Sequence, residues 1–280
     1  MPSLLTRLVA LVFAATATQA CADPVSSAIY PAPKAELSLA GLPQGSRFLD
    51  VTTEDGLTLR GIHAEGRAEK PVLLHFHGNA SSAQTALAWL APLHAEGFTI
   101  VSGTYRGYSR NPGGPSEAGL LKDGRAFLAA ARAIAGQRPV WVVGHSLGGG
   151  VALGLSRETK LDAVVTIGTF TRIRDMAPRL VRGLVPDAYR NGEAVKALDE
   201  PFFLIHGSRD GVVSADMGKA LFDLARGKQG RAFVIRTADH VPPAEDLRLI
   251  FAAIEATLAN RPLPPAPGHI LSMTFAPSAP

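Results

Sequence analysis

The sequence predicts an α/β fold, a mostly parallel sheet with helices packed on both of its faces. Short apolar runs recur at residues 140–143, 163–167 and 202–205, interrupted only by Thr166. Each is followed by a stretch with apolar residues at helical spacing. Continuous rather than alternating apolar strands belong to sheets buried on both sides. A glycine-rich turn, Gly144-His145-Ser146-Leu147-Gly148, joins one of these strands directly to the next helix.

In chain order, residues 47–53 and 57–64 read as a hairpin around Asp55-Gly56. Residues 72–76 are a short apolar strand interrupted only by His75, and 83–95 a helix with Leu87, Leu90 and Leu93 on one face. A strand at 98–102 precedes a long Ala/Leu helix at 116–135, which Ser116 and Glu117 suit as a start. A strand at 140–143 and a helix at 147–157 flank the glycine turn, and 163–167 is the next strand. Residues 170–198 read as two or three short helices. Strand 202–205, helix 215–225, strand 232–235 and helix 243–259 complete the alternation. In such a sheet ligands and chemistry lie at the carboxyl ends of the strands, so the informative residues follow 76, 143, 205 and 235.

The ends differ from this body. Residues 1–22 run from Arg7 through an apolar stretch to the small residues Ala20 and Ala22, the order of an export signal, and the apolar run is short for a membrane span. The expectation is an exported, periplasmic or secreted protein. The single cysteine, Cys21, offers two fates: cleavage after Ala22, or cleavage before Cys21 with a lipid anchor and membrane association through the N-terminus. Thr18-Gln19-Ala20 matches lipoprotein processing poorly, which favours the first. Residues 23–45 are a Pro-rich lead-in, 46–261 the folded domain, and 262–280 a Pro-rich tail expected to be loose. The composition, 46% apolar and 19% charged, fits a globular core, and a net charge of +4 without a dense basic run gives no footprint for nucleic acid.

Gly144-x-Ser146-x-Gly148 between a strand and a helix predicts a nucleophile on a strained turn, with Ser146 at the positive end of a helix dipole. The loop His77-Gly78-Asn79 after the 72–76 strand is placed to supply one backbone N–H of an oxyanion hole, that of Asn79, and Leu147 the other. Asp210, after strand 202–205, and His240, after strand 232–235, supply acid and base in the order Ser, Asp, His. Asp239 is a rival acid, disfavoured because neighbouring loop side chains diverge. His75, His77 and His145 read as structural. A metal site at His75 and His77 has no carboxylate or thiol cluster behind it.

Taken with His75-Phe76-His77-Gly78-Asn79-Ala80, Tyr105-Arg106-Gly107-Tyr108-Ser109, Gly113-Gly114-Pro115-Ser116-Glu117 and His206-Gly207-Ser208-Arg209-Asp210, these sites resemble the α/β-hydrolase superfamily over about residues 45–260. The nearer likeness is to its serine aminopeptidase-like and lysophospholipase-like branch. That branch usually has Asp before Tyr-Arg-Gly and Gly after the second Tyr, where this chain has Thr104 and Ser109. The resemblance implies an eight-stranded sheet, a small helical cover, an acyl-enzyme route and no metal or organic cofactor. The cover, 168–200, is expected to turn Phe170, Met176, Leu180, Leu184 and Val185 to the site, while Arg172, Arg174, Arg179 and Arg182 form a solvated face. The function expected is hydrolysis of small-molecule or lipid carboxylic esters. A peptidase or acyltransferase on the same triad, and a non-catalytic binding scaffold at the cell envelope, are the alternatives.

Overall fold

The computed structural model describes residues 29–176, 182, 183, 185 and 188–276. The leader with Cys21, and Arg179, Leu180 and Leu184 of the cover, lie outside the described residues.

Strands β1 (Arg47–Thr52) and β2 (Thr58–Ala64) form the expected hairpin, with Thr52 opposite Thr58. The remaining strands are β3 (Val72–Phe76), β4 (Thr99–Gly103), β5 (Val140–His145), β6 (Ala163–Ile167), β7 (Phe202–Gly207), β8 (Gly230–Ile235) and β9 (Ile270–Thr274). They make one sheet in the order β1-β2-β4-β3-β5-β6-β7-β8-β9. Pairing is parallel from β4 through β8 and antiparallel at both margins.

The helices are α1 (Ala83–Trp89), α2 (Ala91–Ala95), α3 (Glu117–Ala135), α4 (Leu147–Ser156), α5 (Ile173–Met176), α6 (Asn191–Ala197), α7 (Ala215–Leu224) and α8 (Ala244–Leu258). Strand side chains alternate between two cores. Leu74, Val142 and Phe202 join Phe127 of α3, Val151 of α4 and Leu221 of α7 on one face. Leu73, Trp141 and Phe203 join Leu87 of α1, Leu93 of α2 and Phe251 of α8 on the other. Truncating a side chain as enclosed as Phe127 or Phe251 to Ala is worth about 3–5 kcal/mol.

Three expectations are corrected. The 83–95 helix is two helices meeting at Leu90, because Pro92 cannot donate the backbone bond that would continue the first. Among the described residues the sheet has nine strands rather than eight, and the Pro-rich tail is not loose throughout. Prolines bracket residues 268–276 without entering them, so β9 is free to pair antiparallel with β8. Phe275 then anchors it, buried and stacked on Phe202 at 5.6 Å between centroids. The lead-in segment is also docked: Tyr30 is buried, its hydroxyl 3.0 Å from that of Tyr189, and the Pro33 carbonyl accepts from the Ser109 amide at 2.7 Å.

Candidate active site

Ser146 stands between β5 and α4 with φ 52° and ψ −114°, a conformation that costs a side-chain-bearing residue about 1–3 kcal/mol. The turn is imposed by close approach. A Cβ on Gly148 would overlap the Phe76 carbonyl, and one on Gly144 the Gly148 backbone, so neither flanking position admits a larger residue. The Ser146 amide donates to the Ile167 carbonyl at 2.8 Å, pinning the turn to β6. Leu147 opens α4, and a first helical N–H has no intrahelical acceptor.

Asp210 and His240 meet. The Asp210 carboxylate is buried; its Oδ1 accepts from the Val212 and Val213 amides at 2.9 and 2.8 Å, and its Oδ2 from His240 Nδ1–H at 2.8 Å. With that proton on Nδ1, the neutral imidazole presents Nε2 as an acceptor. Asp239 instead accepts from the Val241 amide at 3.1 Å. Two supports of this pair escaped the sequence. Gly168, after β6, has φ 56°, and a Cβ there would come within 3.2 Å of His240 Nδ1 and 3.3 Å of Asp210 Oδ2. His206 Nε2–H donates to the Val213 carbonyl at 3.0 Å, fixing the turn whose amides hold Asp210. A glycine and a histidine at strand ends were the only signals available.

Asn79 is held by its side chain. Its Nδ2 donates to the Ile29 carbonyl, and its Oδ1 accepts from the Tyr108 hydroxyl at 2.6 Å. Tyr105 donates to the His77 carbonyl at 2.7 Å, and His77 Nδ1–H to the Gly78 carbonyl at 2.8 Å. Arg106 between the two tyrosines is buried against Asp123, Nε to Oδ1 at 2.8 Å, and also binds Asp55. The Tyr-Arg-Gly-Tyr motif thus braces the loop after β3. Thr104 accepts from the Ala83 amide at 3.2 Å, and Ser109 takes φ 48°, a conformation in which the branch's usual glycine is at ease.

Ser146, His240 and Asn79 face a common cavity of about 410 Å³. Its other walls include Ala86 and Trp89 of α1, His145, Val212 and Val241. Phe170 and Val185 do not reach it: both are buried, and Phe170 sits edge-on to Tyr189 at 6.1 Å. Met176 is exposed and lies outside this lining. The cover arginines are engaged locally, Arg172 with Glu193 at 3.0 Å, Arg174 with the Val185 carbonyl and Arg182 with the Asp175 carbonyl.

His145 and Trp89 clamp the loop that carries His240. His145 Nε2–H donates to the His240 carbonyl at 2.9 Å, and Trp89 Nε1–H to the Pro242 carbonyl at 2.8 Å. The Trp89 and His145 rings lie 5.2 Å apart. Burial depresses the pKa of both His77 and His145 to about 4 and holds that of His75 well below its ordinary value, so all three are neutral at pH 7.

The profile of the family described as serine aminopeptidase, S33, matches residues 67–190. An uncharacterized protein of Mycobacterium tuberculosis is 32% identical over 232 residues, covering 78% of this chain and 81% of that one. The lysophosphatidylserine lipase ABHD12 of Xenopus tropicalis is 30% identical over 183 residues; the match covers 55% of this chain and 47% of the lipase. The Pyrococcus furiosus esterase PF2001 superimposes with a TM-score of 0.64 at 19% identity, over 84% of this chain and 98% of the esterase, a likeness of fold. The chain belongs to the α/β-hydrolase superfamily, in its serine aminopeptidase (S33) branch.

Proposed function

We propose that the protein hydrolyses carboxylic esters through an acyl-enzyme on Ser146. His240 Nε2 takes the hydroxyl proton as Ser146 Oγ attacks the ester carbonyl, and the backbone N–H groups of Asn79 and Leu147 hold the oxyanion. Collapse breaks the bond to the alcohol, which departs with the proton from His240. Water, deprotonated by the same imidazole, then releases the acid and restores the serine. Asp210 keeps the proton of His240 on Nδ1 throughout. The observation carrying this reading is the buried Asp210–His240 contact at 2.8 Å beside the cavity that Ser146 also lines.

The family description favours a peptidase as the second reading. A free peptide amine needs a buried acidic partner, and among the described residues no Asp or Glu lines the cavity. Ester hydrolysis is therefore preferred, with lipid monoesters of the kind the ABHD12 name describes as one substrate class. The test is labelling by a fluorophosphonate and turnover of p-nitrophenyl esters. Ser146→Ala should abolish both, and a binding scaffold would show neither in the native protein. We further propose export through the leader. Mass spectrometry of the mature N-terminus decides between a start at Asp23 and a lipid-modified Cys21 with membrane association.

A further inference from the structure

We propose that Ile29 and Tyr30 of the lead-in segment are positioning residues for the reaction. They bridge the two proposed oxyanion donors: the Ile29 carbonyl holds the Asn79 loop, and Tyr30 holds α4, which Leu147 opens, through the ring of Tyr189. This deepens the ester-hydrolase reading and rests on it.

The two donors belong to different elements. The N–H of Leu147 is fixed by the first turn of α4, whereas that of Asn79 lies on the loop after β3. Such a pair stabilises an oxyanion only when both amides hold their aim within about 0.5 Å. The Asn79 loop is not at ease in its own conformation. Ala80, the next residue, takes φ 54°, a left-handed shape that costs a residue with a Cβ about 1 kcal/mol or more. Contacts from outside must therefore hold the loop. The donor is a main-chain group, which leaves the Asn79 side chain available for anchoring. Both of its polar atoms are so engaged: Nδ2 donates to the Ile29 carbonyl, and Oδ1 accepts from the Tyr108 hydroxyl at 2.6 Å.

The hold on α4 begins at the same peptide. The Ile29 carbonyl belongs to the planar unit that enters Tyr30, so no free rotation separates it from the Tyr30 Cα. Tyr30 is buried, and its hydroxyl lies 3.0 Å from that of Tyr189. The Tyr189 ring is pressed on α4 at Gly150, in the turn that Leu147 opens, where a Cβ would come within 2.5 Å of Tyr189 Cδ1. Tyr189 is itself fixed from α3, its amide donating to Glu117 Oε1 at 3.0 Å. Two further contacts moor the segment: the Ser109 amide donates to the Pro33 carbonyl at 2.7 Å, and Lys34 Nζ to the Gly107 carbonyl at 2.8 Å. Ile29 and Tyr30 thus tie the loop of one donor to the helix of the other.

The experiment reads kcat and KM for p-nitrophenyl butyrate, together with Ki for an alkyl trifluoromethyl ketone, to which the Ser146 hydroxyl adds to give a hemiketal oxyanion. Tyr30→Ala should lower kcat about tenfold and weaken the ketone by the same factor, with KM within about twofold of wild type. Tyr30→Phe keeps the ring and removes the hydroxyl. It should show the same split at about fivefold, and it carries the test if Tyr30→Ala folds poorly. Asn79→Ala keeps the main-chain donor but cuts the bridge at its other end. Adding Tyr30→Phe to Asn79→Ala should therefore cost less than about twofold more in kcat. Tyr30 variants that match wild type overturn the bridge. So does a rise in KM with kcat and Ki unchanged, or losses that multiply in full in the double variant. Absence of all ester turnover and of fluorophosphonate labelling in wild type overturns the hydrolase reading, and the bridge with it.

Discussion

Asp210 and the Asn79 loop, on either side of Ser146, are held in different ways. On the proposed acid–base side Asp210 is held by two amides of its own turn, with His206 and Gly168 against that assembly, while the His240 loop is clamped from afar by His145 and Trp89. On the oxyanion side the support comes from afar. Asn79 is tied to Ile29 at the edge of the lead-in segment and to Tyr108 of the loop after β4. Burial without charge is common to both, through His145 on one side and His77 on the other. The difference teaches that the proposed acid is set by its own turn, whereas the proposed oxyanion loop is set by segments wrapped around the sheet.

The largest expected effect lies on the local side. Asp210→Asn should keep the fold but lose the Nδ1 tautomer, lowering kcat by about 10⁴-fold in p-nitrophenyl ester assays. A loss near that of a surface substitution would show that the acid–base pair is not the working one. Acidification acts on both sides at once. His77 and His145 titrate near 4 when folded and near 6.5 when unfolded, so the unfolded chain binds the extra protons. Their contribution is complete above pH 6.5 and is lost as pH falls toward 4, by about 3 kcal/mol for each. Urea midpoints at pH 7 and pH 4.5 should separate accordingly, and His145→Gln should reduce that separation.

Gly168→Ala adds a methyl against both members of the Asp–His pair in a positive-φ position. It should lower kcat by about 10–100-fold with a smaller change in KM, a split that stopped-flow and steady-state rates can read. Tyr108→Phe removes one of the two tethers on Asn79. About 1 kcal/mol of lost positioning predicts roughly a fivefold fall in kcat, the smallest of the set. If Tyr108→Phe instead matched Gly168→Ala, the oxyanion loop would be as tightly constrained as the acid–base side, and the contrast between them would fail.

Much of this arrangement was legible in one dimension. Apolar runs at β5, β6 and β7 placed the sheet because strands buried on both faces leave few alternatives, and Gly144, Ser146 and Gly148 placed the tight turn. Asp210 and His240 were legible because each follows a strand, and strands in a parallel sheet end on one rim. The sequence did not reveal β9, since prolines on both sides masked a short β-forming stretch. Nor did it reveal that the cavity is walled by α1 rather than by the cover, because Phe170 and Trp89 are equally apolar as letters. Local patterning determined which residues stand at the rim. Which of them touch was decided by helix packing and by long-range bonds such as Trp89 to Pro242, 153 residues apart, for which no periodicity in the chain exists.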